Sequence, residues 1–177
     1  MPDGRIRPIL PQDVPAVVQM VYDLAEYEKL RSECHLTDEQ LTAALFGPSP
    51  ALFGLVALDD DVNHGPDNND GGTLPVGEPV GYALYFLNFS TWEGVHGIYL
   101  EDLYVRPDRR GSGLGRALLG TLTEIAAEHG YARVEWSVLD WNAPSIAFYE
   151  SLGAVPMNGW SVYRLTGQAL QKVAGTG

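Results

Sequence analysis

The sequence of 177 residues holds one cysteine, Cys34, and only 11 lysines and arginines against 23 aspartates and glutamates. A single thiol excludes an internal disulfide and agrees with a reducing, cytoplasmic setting. Its surroundings, SECHLT, carry no nucleophile motif, so a buried or incidental thiol is the expectation. The net charge of −12 argues against nucleic acid and anionic membrane as partners and permits a cationic substrate, although solubility alone also accounts for it. No stretch approaches the roughly 18 apolar residues of a membrane span, and MPDGRIRPIL lacks an apolar signal core. His35, His64, His96 and His129 have no ligand spacing, so no metal is expected.

What is present is an ordinary globular composition, 45% hydrophobic and 19% charged, long enough for one domain with a substantial core. Residues 5–9 read as a first strand. Val14, Val17, Val18, Val21, Leu24 and Ala25 recur at helical spacing and predict a helix from about Gln12 to Lys29. Thr37 to Gln40 forms a capping-box pattern that starts a shorter helix ending near Gly47. Residues 51–58 read as a strand. The 21 residues 59–79, polar and rich in Gly and Pro, read as an exposed loop whose aspartates lack the spacing of a calcium loop. Residues 80–89 and 97–106 are the strongest strand candidates, with STWEG as the turn region between them. A further strand is expected at 133–139, a helix from Asn142 to Leu152 stopped by Gly153, a last strand at 160–165 and a short terminal helix. The sum is a mixed α/β sheet with helices on both faces in a single domain.

The run YLEDLYVRPDRRGSGLG, residues 99–115, joins an apolar strand to the start of an amphipathic helix. Gly111, Gly113 and Gly115 let backbone amides approach a ligand where the helix dipole is positive, an arrangement suited to phosphate. Arg106, Arg109, Arg110 and Arg116 add cations in a chain that has few. A dinucleotide fingerprint beginning at Gly111 would need Gly where Arg116 stands, and the Gly-Lys-Ser/Thr of a P-loop does not occur. The pattern that remains, Arg110-x-x-Gly113-x-Gly115 between strand and helix, resembles the acetyl-CoA signature of the GNAT acetyltransferase superfamily. LAEYEKL at 24–30, STWEG at 90–94, YLEDLYV at 99–105 and VLDWN at 138–142 further resemble the diamine acetyltransferase family. Ser90-Thr91 before Trp92, and Leu152 before Gly153, resemble its thialysine Nε-acetyltransferase branch rather than the spermidine/spermine branch.

The resemblance implies a GNAT-like, mostly antiparallel sheet and an acetyl-CoA-dependent N-acetyltransferase. The acceptor would be a small cationic amine of lysine-like type, attacking the thioester directly in a ternary complex. Acetyl-CoA would be held by Leu103, Tyr104 and Val105 on a splayed strand, by Arg110, Gly111, Ser112, Gly113, Leu114, Gly115 and Arg116 at the turn, and by Asn142 and Ser145. An amine whose ordinary pKa is about 10.4 arrives as ammonium and must lose a proton. Glu101 is the candidate base, and Tyr149, four residues after Ser145 on one helical face, the candidate acid for the departing thiolate. Strand alternation sends Glu101 and Asp102 to opposite sheet faces unless a bulge intervenes. Tyr27, Glu28, Glu101, Trp92, Glu135 and Trp136 are the candidate amine-binding residues, and the family implies a homodimer. Polyamine or antibiotic-amine acetylation, and a non-catalytic acyl-CoA-binding module, are the competing readings.

Overall fold

The computed structural model describes residues 3–59 and 77–175. The chain divides into two compact units, Met1–Ser137 and Val138–Gly177. The first carries the sheet, β1 (Ile6–Pro8), β2 (Phe53–Leu58), β3 (Pro79–Ser90), β4 (Val95–Val105) and β5 (Val134–Trp136), in that spatial order. β1 to β4 are antiparallel to their neighbours, and β5 joins β4 in parallel. The helices of this unit are α1 (Val14–Tyr27), α2 (Asp38–Phe46) and α3 (Leu114–Glu128).

Periodicity decides which face each helix buries. Val14, Val17, Val18 and Met20 of α1 and Leu41 and Leu45 of α2 pack with Val56, Leu58, Tyr82, Leu84 and Tyr104 in one core. Strand alternation turns Leu55, Ala83 and Tyr85 to the other face, and α3, which packs on β1 to β5, buries Leu114, Leu118, Leu119 and Leu122. The expected capping box is present at the start of α2: Gln40 N–H donates to Thr37 Oγ1 at 3.2 Å and Thr37 N–H to Gln40 Oε1 at 3.0 Å. The entry to α1 is fixed differently, by a buried ion pair. Arg7 on β1 and Asp13 are each 4% exposed, Arg7 Nη2 donates to Asp13 Oδ1 at 3.0 Å, and Leu10 N–H donates to Asp13 Oδ2 at 2.8 Å.

The second unit holds α4 (Ala143–Ser151) and α5 (Gly167–Ala174). The strand expected at 160–165 is not formed: these residues have no regular structure. Trp160, Val162 and Tyr163 are 71%, 89% and 94% exposed. Apolar and β-branched residues favour a strand only where the backbone finds a ladder partner, and among the described residues this segment has none. The strand expected at 133–139 is shorter, ending at Trp136. Most of the loop read at 59–79 lies outside the described residues.

Candidate active site

The strand that leads to the glycine turn is irregular at one point. β3 and β4 pair as Leu84↔Asp102 and then Tyr85↔Leu100, so Glu101 is the extra residue of a β-bulge. Leu84 and Tyr85 face opposite ways, so Leu100 and Asp102 do as well, and Asp102 stands against Leu84 on the α1 side with Glu101 inserted before it. The bulge interrupts strict alternation at the two carboxyls. Glu101 is exposed, whereas Asp102 is half-buried and accepts a hydrogen bond from the Tyr82 hydroxyl at 3.4 Å. Burial, then the nearby charges of Glu101 and Glu28, push the Asp102 carboxyl up to about 6, against a smaller downward pull from Tyr82. Tyr82 itself is pushed well up, first by burial and then by Asp102. Glu28, the residue that ends α1, is also raised by burial.

The sheet changes on its other side at the same place. β5 pairs with β4 only at Ile98, Tyr99 and Leu100, so beyond the bulge Asp102 to Val105 pair with β3 alone. This stretch of β4 therefore presents an open backbone edge toward the side where β5 has ended. Such an edge can take the amides of an extended ligand as a further strand would. Leu103, Tyr104 and Val105 lie on it.

Beyond Val105 a single 3-10 turn, Pro107–Arg109, leads into Gly111 and Gly113, both left-handed with φ of 82° and 86°. Gly113 caps α3, and the first bond within the helix is from Ala117 N–H to Gly113 O at 2.9 Å. The amides of Leu114, Gly115 and Arg116 precede that bond and suit an anion at the positive end of the helix dipole. A Cβ built on Gly111 or Gly113 would meet nothing within 4 Å, so open space lies over the turn. Ser112 braces the loop, its Oγ donating to Arg109 O at 2.7 Å.

The arginines divide their work more than their clustering suggested. Arg109 donates twice to Asp59 Oδ2, at 2.9 and 2.6 Å, and Arg106 pairs with Glu78 at 2.8 Å. Both are thus engaged by carboxylates at the two ends of the β2–β3 connection. Arg110 donates through Nε to Val105 O at 2.9 Å, and its guanidinium carbon lies 5.6 Å from the ring centres of both Tyr27 and Tyr104. That contact brings the end of α1 to the glycine turn.

The remaining amine-site candidates separate. Trp136 pairs in register with Leu100, next to the bulge. Glu135 accepts from Asn88 Nδ2 at 2.8 Å and Arg133 Nε at 2.7 Å, a network with no local signal in the residue pattern. Trp92, 87% exposed, stands in the β3–β4 turn. Six residues from Val95 to Glu101 place that turn about 20 Å from the bulge along the strand, so Trp92 does not join the group around Glu101. Among the described residues no three His, Cys, Asp or Glu side chains form a metal site.

In the second unit, Asn142 caps α4, its Oδ1 accepting from Ser145 N–H at 3.4 Å, with Pro144 in the first turn. Ser145 and Tyr149 share a helical face, and Phe148 and Tyr149 lie ring to ring at 5.3 Å. Gly153, with φ of 87°, ends the helix, its N–H donating to Glu150 O at 2.9 Å.

Residues 25–154 match the Acetyltransferase (GNAT) family, a span that takes in the end of α1, the bulge, the glycine turn, α3 and α4. The chain is 36% identical over 162 residues to a thialysine N-epsilon-acetyltransferase of Bos taurus, covering 90% of each. It is 30% identical to an L-ornithine N5-acetyltransferase of Arabidopsis thaliana, over 96% of this chain and 87% of that one. Among solved structures, an integron cassette protein from the mobile metagenome of V. cholerae has the same fold, with a TM-score of 0.72 at 23% identity over 96% of both chains. With the family matched over residues 25–154 and a relative 36% identical over 90% of the chain, the chain belongs to the GNAT acetyltransferase family.

Proposed function

We propose that the protein transfers the acetyl group of acetyl-CoA to the primary amine of a small lysine-like substrate of thialysine type. The observation that carries this reading is the continuity of β4's open edge, from Glu101 to Val105, with the glycine turn and the start of α3. A pantetheine arm would lie along Leu103, Tyr104 and Val105, and its pyrophosphate would accept from the amides at residues 111–116. Open space over Gly111 and Gly113 fits that placement. Exposed Glu101 takes the ammonium proton, through water where the distance requires it. The freed nitrogen lone pair forms the new N–C bond as the C–S bond breaks. The Tyr149 hydroxyl returns a proton to the leaving thiolate; the family match extends to residue 154 and so includes α4. Asn142 and Ser145 are proposed to bind the same arm. Tyr27 and Glu28 at the end of α1, with Trp136, are proposed to bound the amine site. A single transferase domain and a cytoplasmic homodimer belong to the same proposal on the family resemblance, and light scattering tests the dimer.

The amine preference rests on the similarity to the thialysine and ornithine enzymes together with the neighbouring carboxylates Glu28, Glu101 and Asp102. The test is release of free coenzyme A with thialysine, lysine, ornithine, spermidine and an aminoglycoside. Fastest release is expected with the lysine-like amines. Preference for spermidine or the aminoglycoside would overturn the substrate class. Tight acetyl-CoA binding without release from any amine would replace the enzyme by a binding module.

A further inference from the structure

The bulge leaves one carboxyl that the proposed reaction does not use. Asp102 is half-buried on the face covered by α1, and no Lys, Arg or His forms an ion pair with Asp102, Glu101 or Glu28 among the described residues. Its hydrogen-bond partner is the hydroxyl of Tyr82, a side chain with no exposed surface. Tyr82 sits opposite Tyr104 in the β3–β4 register and reaches diagonally to Asp102, a contact the pleat allows between same-face neighbours two residues apart. The titratable groups acting on Asp102 are Glu101 on its own strand, Tyr82 on β3 and Glu28 at the end of α1. Around them, Tyr104 feels Asp23 of α1 as well as Arg110, Arg106 and Asp108.

We infer that Asp102 is a positioning residue for the acetyl-transfer reaction: held by Tyr82 and next to Glu101 at the bulge, it sets the charge that an incoming ammonium meets beside Glu101. The two carboxyls are adjacent at the bulge, Glu101 exposed and Asp102 half-buried, and the charge of Glu101 opposes ionisation of Asp102. When Asp102 holds its proton, the ammonium meets the charge of Glu101 alone. When Asp102 is ionised, the second negative charge strengthens the attraction and draws the ammonium proton toward the pair. The N–H bond then breaks, an O–H bond forms on a carboxylate, and the electron pair stays on nitrogen for attack. Contrasting environments for two neighbouring carboxyls are a recurrent way of dividing such roles. The position of Asp102 near 6 places the change within the working range of pH.

The inference rests on the proposed amine acetylation, and the experiment separates the two. The full chain is assayed with its best amine from pH 5 to pH 9 as wild type, Tyr82→Phe, Asp102→Asn and Asp102→Glu. Each variant's kcat/KM is divided by the wild-type value, which removes the titration of the amine itself. The Asp102→Asn ratio is expected to fall about tenfold from pH 5 to pH 8, the worth of one modest charge interaction. Tyr82→Phe removes only the hydroxyl that pulls Asp102 down, so its ratio should dip around pH 6 to 7 and recover above. Asp102→Glu should restore most of the high-pH rate. Ratios that are reduced but constant with pH in both Tyr82→Phe and Asp102→Asn would overturn the inference while leaving the acetyltransferase intact. Wild type that turns over no amine would instead defeat the function on which it rests.

Discussion

The half-buried state of Asp102 has a cost to stability that can be measured without substrate. Its carboxyl lies at about 6 in the native chain against an ordinary 3.8, so the folded state binds this proton more tightly than the unfolded chain does. The sign follows: the contribution is fully favourable below 3.8 and is lost as pH rises through about 6. At 1.36 kcal/mol per pH unit, that gap amounts to about 3 kcal/mol, an upper figure because Asp102 is only half-buried and solvent screens its charge. Asp102→Asn cannot ionise, keeps the shape of the side chain, and can still accept the Tyr82 hydroxyl. The variant should therefore match wild type within about 1 kcal/mol at pH 4.5 and exceed it by about 2–3 kcal/mol at pH 8. Urea unfolding followed by tryptophan fluorescence at both pH values reads this directly, provided the transitions are reversible and the slopes are equal. All other carboxyls are common to both proteins and cancel in the difference. A stability gap that does not widen with pH would refute the half-buried, unfavourably ionised Asp102, and with it the reasoning from the bulge. A variant that is more stable yet slower at pH 8 would show stability given up at a functional position.

Asp13→Ala should destabilise the fold by about 3–5 kcal/mol, because it strands the Arg7 guanidinium in a site where both partners are 4% exposed; urea unfolding at neutral pH checks it, and a loss under 1 kcal/mol would mean that water reaches Arg7. Gly113→Ala forces an alanine to φ of 86° at the cap of α3. The added Cβ has open space, so the cost of about 1–2 kcal/mol is conformational, and the turn should relax away from its anion-binding shape; calorimetry should show weaker acetyl-CoA binding, and an unchanged Kd would count against the turn as the phosphate site. Tyr149→Phe should lower kcat about 100-fold while acetyl-CoA affinity stays within about twofold; an unchanged rate under conditions where chemistry limits would remove Tyr149 as the acid.

What could be read from the residues is what local chemistry decides. The Thr37–Gln40 box, the stop at Gly153 and the strand-turn-helix around Gly113 are each fixed by a few neighbouring residues, and each is where the pattern places it. Arg106 and Arg109 were legible as cations but not as partners of Glu78 and Asp59, because that pairing depends on β2 and β3 returning distant residues to the same corner. The engagement of Glu135 by Asn88 and Arg133 has the same origin, since Asn88 arrives from another strand. At 160–165 the composition of a strand is present and its ladder partner is not, which a single segment cannot disclose.

The bulge is the most consequential feature of this second kind, since nothing in LEDLY marks which residue will be left over when β4 is matched to β3. It falls where β5 ends. Up to Leu100, β4 is paired on both sides; from Asp102 onward it is paired with β3 alone. A central strand held on both edges resists an inserted residue, because two ladders would have to accommodate it, whereas a strand released on one edge has to satisfy only one. The end of β5 and the insertion of Glu101 are therefore mechanically compatible at this position and would conflict three residues earlier. One break in the sheet then has two chemical results. It opens the backbone edge of Leu103 to Val105 to an extended ligand, and it sets Glu101 next to Asp102, which faces the side where α1 ends in Tyr27 and Glu28. An acyl carrier along the edge and an amine before the carboxyls would be brought together by that single irregularity, without any loop having to close over them.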